Sequence, residues 1–292
     1  MKKYFVLLIF VLLGALLTSQ AQTKRALVIG IGEYEDVSWK KINGDKDVPY
    51  VLDFLRSANF DHIDTCVNEQ ATKEGVVKAF KKLTDECSRG DVIYIHFSGH
   101  GQQMSDINKD EADGWDEAWI PYDAYRMYCD KDNGEKHLTD DEIEMMLNLI
   151  KVRIGRKGKM LVVIDACHSG SATRDFGNSD DVVRGPGKGN QFVIPGISII
   201  SKKRKIDDKK QDWIKISACK DYQSNFEMSD KKVGKLTYAI WTILKDKSKL
   251  SNKEFEESIR KFMINNPNSR NLEQTPDLKD SNAADRVSDV LQ

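Results

Sequence analysis

Three segments of this sequence are apolar along nearly their whole length rather than at alternate positions. They are Ala26–Gly32 (ALVIGIG), Asp91–Phe97 (DVIYIHF) and Met160–Ile164 (MLVVI). A strand with one wet face alternates; a strand covered on both faces does not. Between these segments lie stretches with helical spacing. Val48, Val51, Leu52 and Leu55 mark one, and Val76, Val77, Phe80 and Leu83 mark another. Thr139-Asp140-Asp141-Glu142 is a capping box that opens a helix through Met145, Met146, Leu149 and Ile150. Ser251 to Glu254 is a second capping box, opening a helix through Ile264, and Leu236–Leu244 reads as helical. Ile63–Val67 and Trp213–Ala218 add two strands. Doubly buried strands alternating with amphipathic helices predict an α/β fold, a mostly parallel central sheet flanked by helices.

The first 21 residues obey a different rule. Lys2 and Lys3 precede an apolar run from Tyr4 to Leu17, and small residues follow at Ser19 and Ala21. That is the layout of an export signal cut after Ala21. The rival reading, a membrane anchor, needs about 20 apolar residues, and this run is shorter. Residues 22–292 are then expected as one domain, working in the periplasm or outside the cell, with no later membrane span. Near-balanced charge, 45 Lys+Arg against 46 Asp+Glu, argues against a partner bound by general basicity, such as nucleic acid. Five cysteines, an odd number, leave at least one thiol outside intramolecular disulfides, and no C-x-x-C spacing suggests zinc.

Chemistry concentrates at two strand ends. One reads Ser98-Gly99-His100-Gly101 and the other Asp165-Ala166-Cys167-His168-Ser169-Gly170. Ligands of parallel α/β sheets bind beyond the carboxyl ends of the strands. One end offers an imidazole and the other a thiol, the pair that makes a nucleophile near neutral pH. Flanking glycines let a substrate backbone approach. Alone, such a Cys is more often a small buried hydrophobe; both residues, each at a Gly-rich strand end, argue for a site. His168 adjoins Cys167 and should point the other way. His96 reads as a core residue, and His62 and His137 as surface residues. Side chains two apart share a strand face, so Asp165 should lie beneath Cys167 and Ser98 beneath His100. A carboxylate there favours a cationic ligand.

These motifs resemble the caspase-like cysteine peptidases (peptidase C14), most closely the metacaspase branch. S-G-H-G and D-A-C-H-S-G occur in the expected order with a His-to-Cys separation of 67 residues. The animal caspase signature Q-A-C-[RQG]-G is absent. Asp45-Lys46-Asp47 sits where metacaspases carry an N-D, and Ile216–Gln223 and Gln274-Thr275-Pro276 resemble two later family motifs. The resemblance implies that His100 is the general base and Cys167 the nucleophile. It also implies an oxyanion hole of the Gly101 and Cys167 backbone N–H groups, and an Arg or Lys pocket of Asp47, Ser98 and Asp165. From spacing alone, Asp47 suits the first turn of a helix equally well.

Asp106–Glu117 is strongly acidic but lacks EF-hand spacing. A solvated loop is its default reading. The resemblance implies calcium held by Asp116, Asp140 and Asp141; the family's further acid is unmatched, with Arg174 in that region and Asp175 one place off. No cofactor is expected to be required. The Gly-rich, polar stretch Thr173–Gln211 reads as a long loop, with one strand at Phe192–Ile200. It is the region cut during maturation in caspase-like enzymes and holds Arg174, Arg184, Lys188 and Lys202–Arg204. An uncut loop is the alternative.

The expectation is therefore an exported caspase-like endopeptidase acting on protein or peptide substrates, cutting after Arg or Lys. The rivals are a clostripain- or gingipain-type peptidase, and a catalytically silent binding module of the same fold.

Overall fold

The computed structural model describes residues 22–168, 181–186, 190–197, 199, 211–246, 250–269, 271–280 and 286–291. The proposed export signal lies outside them, as do Arg174, Lys188 and Lys202–Arg204. No helix among the described residues is long and apolar enough to cross a membrane.

The central sheet is built from β1 (Lys24–Gly30), β2 (His62–Val67), β3 (Val92–Ser98), β7 (Lys159–Asp165), β8 (Ile214–Ser217) and β11 (Asp277–Lys279). Its order is β11-β8-β7-β3-β1-β2; all pairings are parallel except β11 with β8. The doubly apolar strands occupy the middle, as expected. Leu27, Ile29, Ile93, Ile95 and Ile164 face one buried cluster, and Ala26, Val28, Tyr94, Leu161 and Val163 face the other.

The first cluster is covered by α2 (Lys73–Glu86) and α3 (Asp140–Ile154). The second is covered by α1 (Gly44–Ser57), α4 (Lys235–Asp246), α5 (Asn252–Asn265) and α6 (Val287–Leu291). Both capping boxes are present: Thr139 caps α3 with Glu142 reaching back, and Ser251 and Glu254 do the same for α5. On α3 the apolar stripe divides, with Met146 and Ile150 buried and Met145 and Leu149 exposed.

Two small antiparallel sheets lie apart from the central one: β4 (Gly101–Ser105) with β5 (Trp115–Trp119) and β6 (Leu138–Thr139), and β9 (Glu227–Met228) with β10 (Val233–Gly234). Sequence periodicity had not indicated them, because most are too short to show a period. The strand expected at Phe192–Ile200 reduces, among its described residues, to a single bridge between Phe192 and Met104.

Register sets the functional end. Ser98, the last residue of β3, pairs with Asp165, the last of β7, and with Gly30, the last of β1. Three strand termini therefore stop at one level. Ile95, at the centre of β3, is fully buried. Ile95→Ala should cost about 2–5 kcal/mol, seen as a lower urea midpoint at unchanged slope.

Candidate active site

At that level two glycine-bounded turns meet back to back. A Cβ placed on Gly101 would lie 2.8 Å from the Cys167 carbonyl oxygen and 2.9 Å from its carbon, so only glycine lets the His100 turn approach so closely. The His100 ring stacks on Trp39, with centroids 4.8 Å apart, and contacts Tyr34 on another side. Its Nε2 lies 2.8 Å from the Lys40 carbonyl oxygen. A carbonyl only accepts, so Nε2 carries the proton. Burial lowers the ring's pKa to about 4, leaving it neutral. Nδ1 then bears the lone pair, and it is buried without a hydrogen-bond partner. This is the tautomer a general base needs.

Cys167 lies one residue beyond Ala166 at the end of β7 and is buried. Its thiol donates to the Gln223 carbonyl oxygen at 3.0 Å, and the Cys219 thiol donates to the same oxygen at 3.4 Å. A hydrogen bond with Cys167, together with burial, pushes the Cys219 thiol well above its ordinary range. None of the five cysteines forms a disulfide.

Beneath the two turns is a buried carboxylate pocket. Asp47, in the first turn of α1, accepts from Ser98 Oγ at 2.7 Å, the Gly234 N–H at 2.7 Å and Thr237 Oγ1 at 3.0 Å. Asp165 accepts from Asn225 Nδ2 at 2.7 Å and from the Thr237 N–H at 2.8 Å. Ser98 is oriented by a relay. It donates to Asp47, so it accepts from His96 Nε2 at 2.9 Å; His96 Nδ1 in turn accepts from the Tyr94 hydroxyl at 2.8 Å. His96 is thus a buried, neutral spacer, its pKa lowered to about 4 by burial.

Burial pushes Asp47 up to about 6, despite Arg184 beside it. Burial acts on Asp165 in the same sense, but Arg184 and the bonds from Asn225 and Thr237 more than offset it and hold its carboxyl below the usual range.

The pocket is filled by the chain itself. Arg184 is fully buried, with Nη1 2.7 Å from Asp47 and 3.4 Å from Asp165, and Nε 2.9 Å from Glu227. Nη2 adds a second bond to Asp47 at 3.1 Å. Its backbone enters as a short strand: Val183 bridges Phe226, the Arg184 N–H donates to Asn225 O at 3.0 Å, and the Glu227 N–H donates to Val182 O at 3.0 Å. The Arg184 carbonyl oxygen accepts from the Cys167 N–H at 2.9 Å.

The structure thus brings His100, Gly101, Cys167, Asp47, Ser98 and Asp165 to one place. Sequence reasoning missed Glu227, Asn225 and Thr237 in the pocket, and Tyr34, Trp39 and Lys40 around His100. Gln223 and Gln274 lay in motifs already singled out. Gln274 Nε2 donates to Asn225 Oδ1 at 2.8 Å, which turns the Asn225 amide toward Asp165. His137 corrects an expectation: it is fully buried, with Nε2 3.0 Å from Gln102 Oε1 and Nδ1 3.4 Å from Asp132. His168 lies 3.4 Å from Glu117, away from the pocket.

A second acidic group lies at the start of β5 and α3. Asp106, Asp110 and Asp116 each offer an oxygen within 4.8 Å of the others. Asp141 and Asp140 add charge beside Asp116. Asp116 Oδ1 and Asp140 Oδ1 are buried without hydrogen-bond partners. Burial and the neighbouring carboxylates push Asp116 up to about 7 and Asp140 to about 8. Hard oxygen donors in that state fit a calcium ion.

The family model for the Caspase domain matches residues 23–287, and the chain belongs to that family, peptidase C14. Curated proteins similar to it include metacaspases. Metacaspase-1B of Neurospora crassa is 35% identical over 104 residues, covering 35% of this chain and 22% of that protein. Metacaspase-1B of Aspergillus fumigatus is 36% identical over 102 residues, covering 35% and 22%. Metacaspase-2 of Arabidopsis thaliana is 31% identical over 159 residues, covering 51% and 35%. The matched stretches span about a fifth to a third of these relatives' lengths. The crystal structure of protein GSU0716 from Geobacter sulfurreducens shares the fold, with a TM-score of 0.61 at 23% identity, covering 88% of this chain and 92% of that one.

The pocket leaves no room for a side chain at Gly234, where an added Cβ would lie 2.3 Å from Asp165 Oδ2 and 2.7 Å from Asp47 Oδ2. Gly234→Ala should destabilise the fold by about 1–3 kcal/mol in urea unfolding, because both carboxylates are fixed by their donors.

Proposed function

We propose that this protein is a cysteine endopeptidase that cuts after arginine or lysine, with Cys167 as nucleophile and His100 as general base. The observation that carries the specificity is Arg184: a cationic side chain fully buried against Asp47, Asp165 and Glu227, its carbonyl on the Cys167 N–H. Arginine is almost never fully buried unless paired. Three carboxylates with fixed donors form a site for a guanidinium or an ammonium, and would repel an acidic side chain.

The Cys167 thiol passes its proton to the His100 lone pair and attacks the carbonyl carbon. The oxygen, gaining charge, is held by the Cys167 N–H, with the Gly101 N–H as the second donor. His100 returns the proton to the leaving amine, and water then releases the acyl group. The Lys40 carbonyl holds the ring in the required tautomer throughout.

The apolar run after Lys2 and Lys3 supports export of the chain. Asp106, Asp110, Asp116, Asp140 and Asp141 would hold calcium, which supplies charge compensation at the start of β5 and α3. The catalytic steps above use none of these residues.

Peptides with Arg or Lys before the scissile bond should be cut far faster than those with Asp, in a fluorogenic assay. Cys167→Ala should abolish turnover and thiol-probe labelling, while Cys219→Ala retains most activity. His100→Ala should lower kcat by about 10²–10⁴-fold. Glu227→Gln and Asp165→Asn should each erode the preference for basic residues. Robust cleavage after Asp would overturn the specificity.

The calcium reading carries its own pH dependence. Carboxyls raised in the fold favour it fully below their unfolded value of about 4, and that stability is lost as pH rises through their folded values. With chelator, Tm should fall as pH rises from about 4 to about 8, the range set by Asp116 and Asp140. Calcium should flatten the slope in thermal melts, and Asp140→Asn should reduce both the slope and the calcium response.

A further inference from the structure

Helix α3 carries two apolar faces, although docking on the sheet needs only one. Ile143, Met146, Leu147, Ile150 and Ile154 are buried in the core. Met145, Leu149 and Val152 lie on the other side of the helix, exposed to 59%, 53% and 78%. Their spacing, i, i+4 and i+7, sets them in one stripe along the helix. With Asp141, Glu144 and Asn148 they line one continuous surface groove. A single exposed apolar residue needs no explanation, whereas a contiguous patch marks a contact surface.

We propose that this stripe is where two copies of the chain pair, α3 against α3, antiparallel about a two-fold axis. The inference does not depend on the peptidase reading, and it concerns a different face of the molecule.

The order of residues along the stripe argues for a second copy as the partner. A two-fold contact requires one patch to fit itself. Around a point between Asn148 and Leu149 the stripe has that symmetry. Met145 comes opposite the partner's Val152, Leu149 opposite the partner's Leu149, and Asp141 opposite the partner's Arg156. Charge follows the same pattern. Asp140, Asp141, Glu142 and Glu144 make the first half of the helix acidic. Arg153, at the end of α3, and Arg156 and Lys157, just past it, are basic and exposed. Antiparallel pairing lays each acidic half on a basic end, while parallel pairing would lay like on like. The two helix dipoles also oppose each other. An anionic lipid surface, another cover for an apolar helix face, would be repelled by the acidic half.

The size of the contact sets its strength. α3 has 15 residues, which is about 22 Å of helix. A pair of such helices buries less than the roughly 1,200 Å² at which standard interfaces begin. The dimer is therefore weak, with Kd on the order of 10–100 μM. None of His100, Cys167, Asp47, Asp165 and Glu227 lies on α3, so pairing leaves the candidate active site uncovered.

The test is sedimentation equilibrium of the purified protein up to about 500 μM, several times that Kd. A reversible monomer–dimer equilibrium is expected. Leu149→Asp should raise Kd on the order of 100-fold, because both copies carry the change at the axis. Arg156→Glu should raise it about 10-fold by setting acid against acid. Ile264→Asp, on α5 and 69% exposed, should leave it unchanged. Under a mild copper oxidant, Leu149→Cys should give a disulfide-linked dimer that neither the wild type nor Ile264→Cys gives. Both Leu149 and Arg156 are exposed, so these variants should melt with the wild type. If Leu149→Asp fails to fold, Arg156→Glu and the cross-link decide.

A protein that stays monomeric at the highest concentration overturns the proposal, and so does a dimer that Leu149→Asp leaves intact. A dimer broken by Leu149→Asp in which Leu149→Cys does not cross-link overturns the antiparallel pairing. Monomers that float with phosphatidylcholine vesicles through the same stripe would assign it to lipid and overturn the second copy.

Discussion

The end of this sheet is organised around one buried cation. Arg184 sits among Asp47, Asp165 and Glu227, all with side chains fully out of solvent. One guanidinium cannot neutralise three carboxylates. The excess charge is tolerable because every carboxylate is also held by donors: Ser98, Gly234 and Thr237 for Asp47, Asn225 and Thr237 for Asp165, and Asn43 for Glu227. These donors come from the residue before α1, β3, the loop before β9, β10 and the first turn of α4. Charge balance in the pocket therefore fixes how those elements meet. Burial, with Asp165 beside it, pushes Asp47 up to about 6 even with the cation present.

How much of this could be read from residues alone follows from how far each signal reaches. Doubly apolar strands announce a parallel sheet, so the strands that carry His100 and Cys167 were legible. Asp165 and Ser98 followed by counting two back along a strand. Asp47 came only from a family resemblance, since a first-turn acid has an adequate local explanation. Glu227 carried no signal: it lies in a two-residue strand, and its role depends on a carboxylate reaching Asn43 and Arg184 from a distant part of the chain. Arg184 was visible only as one of several basic residues in a Gly-rich loop. His137 was misjudged as a surface residue because its partners, Gln102 and Asp132, are distant or carried in a turn.

On the proposed function, His100 is suited to base chemistry by two features, a carbonyl at Nε2 and aromatic and buried surroundings that keep the ring neutral. Cys167 is not yet aimed, because its proton rests on Gln223 O. Gln223 is itself anchored, its side-chain oxygen accepting from the Thr275 N–H at 2.9 Å. On the proposed function, the thiol must leave Gln223 O before it can attack.

Substrates arriving from solution face a constraint as well. On the proposed function, any such peptide needs the Asp47–Asp165–Glu227 pocket, the edge of Asn225–Glu227 and the Cys167 N–H, and Val182–Arg184 engages all three. A tethered segment competes at an effective concentration of order millimolar or higher for short linkers, which a dilute free peptide does not match. The contacts that seat Arg184 therefore close the pocket to other basic side chains while the segment is in place.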